Sequence, residues 1–468
     1  MNKSIRGVAV VTILMFLALL VNATAGYWIR TDELTNDPRN TRVQDEQFGA
    51  PRGPILAANT PVASSVETGT RPYANQRQYL DGPLYAPVTG YYSYIFGRSG
   101  LESLYNAELV GQADSQFTQR IVDTLSGRTA QGGQVQTTIQ PHAQQAAWDA
   151  LGDRDGAVVA IDYTTGAVLA WVSRPSYDPS TLASLDFPAT QDAWAQLTAD
   201  PTEPMNDRAT KEIFAPGSVF KLVVAAAALN HGYTPQTMID TPQALPLPGT
   251  TITLPNLAAC GNTQQSLDNA LTLSCNTTFA NVGLALGDDV IREQAQAFGF
   301  DSAFGGDMAS AVSTFPADPD QAQLAMSAIG QFEVAATPLQ MAVVAGAIAN
   351  DGTVMEPYVV SEVRNNNQRV MSSHQPTVVN QAMTPANAAT LQEMMTHVVQ
   401  RGTGTQAQIS GLTVGGKTGT AETTPGAASH SWFAGFAAEK NVAVAVYLAT
   451  DAAGTATPVA RAVMEAVS

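Results

Sequence analysis

Positive charge is scarce in this chain. Its 468 residues include five lysines, and 23 Lys and Arg side chains face 40 Asp and Glu, for a formal net charge of −17. A phosphate backbone needs a basic surface, and no stretch here is dense enough in Lys or Arg to supply one, so nucleic acid is excluded as a partner. Binding to an anionic lipid surface is disfavoured on the same ground. Cysteine is scarcer still: Cys260 and Cys275 are the only two, and without a CxxC pair they offer neither a zinc site nor a dithiol redox centre. The five histidines, His142, His231, His374, His397 and His430, have no metal-ligand spacing and no arrangement that reads as a Ser-His-Asp triad. No metal and no cofactor is expected.

Long charge-free apolar runs are also rare, with one exception at the amino terminus. After Lys3 and Arg6 no charged residue occurs from Gly7 to Trp28, a stretch of 22 residues. About 20 apolar residues cross a bilayer, and positive charges ahead of them favour the cytoplasmic side. The expectation is a cytoplasmic tail of residues 1–6, a transmembrane signal-anchor over 7–28, and everything after it outside. A cleaved signal peptide is the rival: Val8 to Val21 has h-region length, and Ala23 to Ala25 has the small-x-small look of a cleavage site. Tyr27 and Trp28 read as an interfacial belt and favour the anchor. Both readings export the chain, and in an exported protein Cys260 and Cys275 are expected to form one disulfide rather than two buried thiols.

The length suggests two or three domains, and the 45% hydrophobic content suffices for a sizeable core. Residues 29–133 are rich in Gly, Pro, Asn, Gln and Tyr without a long helical period, and read as a small, mainly extended domain. Gly132-Gly133 marks its end. Beyond it the texture alternates: "AQQAAWDAL" is helical, "GAVVAIDYTTGAVLAWVS" is two strands around a turn, and "SVFKLVVAAAALN" is a helix stopped at His231-Gly232. "TLSCN" lies between two helices, and an Ala-rich helix runs from about Pro338 to Asn350. "LTVGGKTGTAE" and "SWFAGFAAEKNVAVAVYLAT" return to strands, the latter folding at Glu439 to Asn441, before a last helix from about Pro458. Helices flanking a carboxyl-terminal antiparallel sheet make residues 134–468 an α+β domain.

Three short motifs follow one another in that domain: "SVFK" at Ser218 to Lys221, "SCN" at Ser274 to Asn276 and "KTGT" at Lys417 to Thr420. Residues three apart share a helix face, so Ser218 and Lys221 can meet. Separately the motifs are weak, since a snorkelling lysine, an N-cap and a hairpin turn would each account for one of them. Chance supplies only about 0.05 KTG matches in a chain so poor in lysine, and the three occur in order and in fitting contexts.

With these motifs the chain resembles the penicillin-recognising serine transferases, the penicillin-binding proteins and serine β-lactamases, whose signature is SxxK, SxN and KTG. "MNDRATKEIFAPGSVFK", "AIGQFEVAATPLQMAVVAGAIANDG" and "HSWFAGFA" extend the likeness, and "RGPIL" (Arg52 to Leu56) resembles the box that opens the amino-terminal domain of class B penicillin-binding proteins. Short length and the SCN motif look most like the actinobacterial penicillin-binding protein A group. Two departures stand out: Ala57 and Ala58 replace an acidic-basic pair of the family box, and Cys275 occupies the middle of SxN.

The resemblance implies the penicillin-binding transpeptidase fold, an antiparallel sheet flanked by helices plus a helical subdomain. It also implies a role for each motif residue. Ser218 is the nucleophile, Lys221 its base, Ser274 a proton relay and Asn276 the holder of a substrate amide. Lys417, Thr418, Gly419 and Thr420 would bind a terminal carboxylate, and the backbone amides of Ser218 and Thr420 an oxyanion. The implied activity is that of a D,D-transpeptidase that cross-links peptidoglycan stem peptides and is acylated by β-lactams. Residues 29–133 are too few for a glycosyltransferase, so a separate polymerase or division or elongation proteins are expected as partners, with the cytoplasmic membrane. A D,D-carboxypeptidase, using water as acceptor, is the alternative within enzymes. A β-lactam sensor would need a route to the cytoplasm that residues 1–6 do not provide, and a silent division scaffold would have lost a motif residue. A class A β-lactamase needs a glutamate followed four residues later by Asn; only Glu362 with Asn366 has that spacing before KTG, in a polar piece that reads as a turn between strands.

Overall fold

The charge-free run Gly7 to Trp28 lies within one helix, Lys3–Thr35, in the computed structural model, which describes residues 3–35, 45, 48–113, 131–421 and 429–468. Its apolar part, Ile5–Gly26, has 22 residues and a mean hydropathy of 2.4, and lies bare along its length. At 1.5 Å per residue that part reaches about 33 Å, enough for the hydrocarbon of a bilayer. The helix runs unbroken through Ala23–Ala25. Tyr27 and Trp28, expected as an interfacial belt, have side chains outside the described ones.

Compactness divides the chain into one unit of Met1–Pro51 with Val66–Gln76 and another of Arg52–Ser65 with Arg77–Ser468. This division does not fall at 133. Ser176 Oγ donates to Pro83 O at 2.7 Å and Gln144 Nε2 to Leu84 O at 2.9 Å, so residues after the expected boundary hold the helix Gly82–Thr89 before it. That helix, with Gly100–Leu104 and Asn106–Leu109, also makes the segment less extended than its composition suggests. Helices this short carry too few turns for a periodic signal. Residues 114–130 lie outside the described ones.

Five antiparallel strands organise the larger unit, in the spatial order Val414–Ala421, His430–Ala437, Val442–Leu448, Gly156–Asp162, Val168–Arg174. Gly156–Asp162 reads as a continuous apolar run because both of its faces are covered. Ala157, Val159 and Ile161 pack with the buried helix Pro338–Ala349, while Val158 and Ala160 pack with Pro141–Leu151 and Ala456–Ala466. The period of two in the strand thus sorts its side chains between two layers of helix. Pro338–Ala349 starts where the sequence places it, with Thr337 accepting from Gln340 N at 3.0 Å and Pro338 as first residue.

A second sheet joins distant parts of the chain. Gln134–Thr137 pairs in parallel with Ile55–Ala57 on one side and antiparallel with Val360–Arg364 on the other. Glu362, the one residue with the spacing of a deacylating base, sits in that last strand. It bonds Arg364 Nε at 2.6 Å, and the turn follows it at 365–369.

Three charged side chains, Arg77 of the same sheet among them, are buried together. Arg52 Nε and Arg77 Nε reach the two oxygens of Glu102 at 2.5 and 2.6 Å, and all three side chains are at most 2% exposed. Arg52 also donates to Asn106 Oδ1 at 2.7 Å and lies over the ring of Tyr92. Burial alone would push the Glu102 carboxyl up; the guanidiniums of Arg77 and Arg52 and their hydrogen bonds outweigh it and hold it below its ordinary 4.5. Replacing Glu102 by Gln strands two buried cations and is expected to cost about 3–5 kcal/mol of unfolding free energy. The pair stabilises the wild type above the ordinary carboxylate range, and that share is lost as pH falls through the depressed value. Denaturant titrations of both proteins at neutral and acidic pH test this, and E102Q should lack that acid-labile share.

Candidate active site

Ser218 occupies a tight turn. Gly217–Phe220 is one turn of 3-10 helix, and the α-helix Lys221–Asn230 begins only at the lysine, so the serine sits ahead of the α-helix rather than at its first residue. The turn is pressed against its neighbours. Gly217 has φ 53°, and a Cβ there would lie 2.5 Å from Thr420 O; a Cβ on Gly330, at φ 75°, would lie 2.1 Å from Gly217 O. Gly217 N donates to Gly330 O at 2.9 Å, and Trp432 Nε1 to Ala215 O at 3.1 Å. Only glycine permits three backbones to converge in this way. The result sets Ser218 beside the strand Val414–Ala421, which carries KTGT.

SCN forms the joint between the helices Leu267–Leu273 and Asn276–Leu286. Ser274 takes the left-handed conformation, φ 63° and ψ 40°, a sparsely populated state for a residue with a side chain. Two neighbours hold it there. Cys275 is bonded to Cys260, 15 residues earlier. Asn256 accepts from Asn276 N at 2.9 Å through its side-chain oxygen and donates to Thr277 Oγ1 at 2.8 Å, supplying the cap that Cys275 lacks. Sequence reasoning passed over Asn256, because a single Asn in a Thr/Pro/Leu-rich stretch carries no pattern.

The three motifs meet at one hydroxyl. Lys417 Nζ donates to Ser274 Oγ at 2.8 Å and to Thr418 O at 2.8 Å. Lys221 Nζ, from the opposite element, is bonded to Ser274 O at 2.8 Å, Asn276 Oδ1 at 2.7 Å and, at 3.4 Å, Ser274 Oγ. The three-residue spacing leads one to expect a Ser218–Lys221 contact, but the lysine's bonds go to SCN, and Ser218 Oγ has no hydrogen-bond partner among the described residues. Both lysines are 0% exposed. Burial, followed by repulsion from Lys417, pushes Lys221 well below its ordinary 10.5, and burial brings Lys417 down to about 7.

A neutral Lys221 has two N–H groups and one lone pair. Ser274 O and Asn276 Oδ1 are the acceptors for its two hydrogens, which leaves the lone pair to receive a proton from a hydroxyl. Ser218, Ser274, Asn276, Thr418, Gly419 and Thr420 all border one cleft of about 790 Å³. Thr403, absent from the sequence-based set, borders it too and shares a hydrogen bond with Thr418 at 2.6 Å. Glu362 does not line the cleft.

A serine, two buried lysines and an Asn-bearing loop thus meet around one cleft. The profile of the penicillin binding protein transpeptidase domain matches residues 156–467, and that of the penicillin binding protein A dimerisation domain matches residues 52–135. Peptidoglycan D,D-transpeptidase PbpA of Mycolicibacterium smegmatis is 41% identical over 97% of this chain and 94% of its own length. Its namesake in Mycobacterium tuberculosis is 39% identical over 100% and 99%. The ceftriaxone acyl-enzyme of penicillin-binding protein A from M. tuberculosis superposes with a TM-score of 0.86 at 37% identity, covering 90% of this chain and 99% of that one. The chain belongs to the penicillin-binding protein transpeptidases, and its fold is theirs.

Two outcomes are expected from this geometry. The second-order rate of acylation by a penicillin should fall as pH rises through about 7, where free-enzyme Lys417 loses its proton, and Lys417→Arg should remove that alkaline limb in any variant that still acylates. Stopped-flow or mass-resolved labelling across the pH range measures it. Closing the loop between Cys260 and Cys275 should contribute about 3 kcal/mol, so Cys260→Ser with Cys275→Ser should melt several degrees lower. Thiol counting on denatured, unreduced wild type should find none free.

Proposed function

We infer that this protein is a peptidoglycan D,D-transpeptidase in which Ser218 forms the acyl-enzyme. The observation that carries the reading is the convergence of Lys221 and Lys417 on Ser274 beside Ser218. Ser218 Oγ attacks the carbonyl between two terminal D-alanines, its proton passing to Lys221 Nζ. As the C–N bond breaks, that proton is delivered through Ser274 Oγ to the departing D-alanine nitrogen. An amine of a neighbouring stem then attacks the ester, gives up its proton by the same path and restores the Ser218 hydroxyl. Lys417, with Thr418, Gly419, Thr420 and Thr403, receives the terminal carboxylate, and the amides of Ser218 and Thr420 receive the oxyanion.

β-Lactams present the same carboxylate and carbonyl and are trapped at the first step. In this reading the helix over 7–28 anchors the protein, and Lys3 and Arg6 keep the tail 1–6 in the cytoplasm with the rest outside. Residues 134–468 are the catalytic domain and 29–133 a non-catalytic pedestal. Glycan polymerisation then falls to a separate protein, a glycosyltransferase or a division or elongation complex.

Fluorescent penicillin should label the wild type at Ser218 and leave a folded Ser218→Ala variant unlabelled; equal labelling of the variant sinks the reading. With Glu362 on the other sheet and bonded to Arg364, no glutamate borders the cleft among the described residues to activate water. The adduct should therefore persist for many minutes after free drug is removed, as followed by intact mass. Fast recovery that depends on Glu362 would mark a β-lactamase instead.

A further inference from the structure

A second cavity, of about 420 Å³, shares no lining residue with the catalytic cleft. One of its walls is the helix pair Gly82–Thr89 and Gly100–Leu104, in the stretch that matches the dimerisation domain profile. The other comes from the end of the strand Val168–Arg174, from residues 204–211 and from Asp307 and Ala309, all within the transpeptidase match. Seams between two such regions are where small-molecule sites tend to form.

Two carboxylates border this cavity from different segments, and each is held in place. The two oxygens of Asp207 share the Trp171 indole N–H at 3.1 Å each; Oδ1 also accepts from Ala209 N at 3.0 Å, and Oδ2 from Thr210 Oγ1. Asp307 Oδ2 accepts from Val360 N at 2.7 Å and from Val359 N at 3.3 Å. Burial pushes both carboxyls up from their ordinary 3.8, so a cation beside either one is favoured. Among the described residues the lining offers a single cation, Lys211, and its Nζ already donates to Ala309 O. Two carboxylates against one ammonium leave negative charge in excess. Leu104, Met205, Pro175, Pro204 and the rings of Trp171 and Tyr177 make most of the remaining surface apolar. None of these groups has a part in acyl transfer.

We propose that this cavity is a binding site for a small organic cation, a primary ammonium at the end of a short apolar chain. The ammonium gains charge-assisted hydrogen bonds from Asp207 and Asp307, and the face of Trp171 adds attraction for a cation. The chain covers Leu104 and Met205. An anion of the same shape would meet two carboxylates and a lysine whose donor is in use, and a neutral analogue would gain the apolar contact alone. A bound ligand touches both profile-matched regions and so ties them together at this seam.

Nα-acetyl-L-lysine amide, Nα-acetyl-L-norleucine amide and Nα-acetyl-L-glutamate amide present a similar chain ending in an ammonium, a methyl or a carboxylate. Their binding to the full chain in a nonionic detergent can be measured by calorimetry at physiological salt, where scattered surface charge is screened. The lysine compound should bind saturably, and the other two at least about tenfold more weakly. Asp307→Asn should weaken it by about fivefold or more, whereas Lys211→Met should tighten it by about twofold or more, a reversal that a merely structural role for these residues would not give. Ser103→Trp, at an exposed position on the rim, fills the cavity and should abolish binding in a protein whose melting temperature is unchanged. Protein whose Ser218 carries a penicillin should bind the lysine compound as tightly as free protein. No saturable binding, equal affinity for the lysine and norleucine compounds, or affinity unmoved in all three variants would overturn the proposal. So would loss of binding on acylation, which would place the amine in the catalytic cleft.

Discussion

The site turns on two lysine amino groups sharing one serine hydroxyl. Lys221 and Lys417 are fully buried and both reach Ser274 Oγ, and burial gives neither an incentive to stay charged. Two such groups cannot both keep their protons so close together. The molecule holds this unfavourable pair by fixing the hydroxyl between them: a left-handed Ser274, a cross-linked Cys275 and an Asn256 that caps the next helix. Destabilised chemistry is thus set inside a stable frame, as the proposed acyl transfer requires.

Much of the frame was legible in the sequence. Continuous apolar runs of strand length gave away the strands Gly156–Asp162 and Val442–Leu448, and Pro338 at the first position and Asn350 at the C-cap punctuate their helix. SxxK, SxN and KTG could be found because each is contiguous. What stayed hidden depends on residues distant in sequence. Asn256 acts 20 positions from the amide it caps, and Thr403 meets Thr418 across 15. Ser218 was misplaced by a single turn because apolar periodicity marks a buried helix but not whether its first turn is 3-10.

The amino-terminal part teaches a related lesson. Ala57 and Ala58 depart from the family box, yet residues 52–135 match the penicillin binding protein A dimerisation domain profile. The structure supplies the reason that the departure is tolerated. Arg52 and Arg77 share the one buried carboxylate of Glu102, and Ala57 only ends a strand, with Ala58 turning at φ 51° beside it. The structural weight of that box rests on the arginine, not on the pair that is missing.

The parallel pairing of Ile55–Ala57 with Gln134–Thr137 bears on how this polypeptide can be divided. Each backbone amide and carbonyl that Gln134–Thr137 turns toward Ile55–Ala57 is satisfied only while both segments are present. A chain begun at residue 134 would present that strand as an open edge, inviting a second copy to complete it. Residues 134–468 are therefore not a separable module. The natural excision point lies ahead of Arg52, and a shortened protein that keeps residues 52–57 keeps Gln134–Thr137 paired on both sides, where one begun later exposes it.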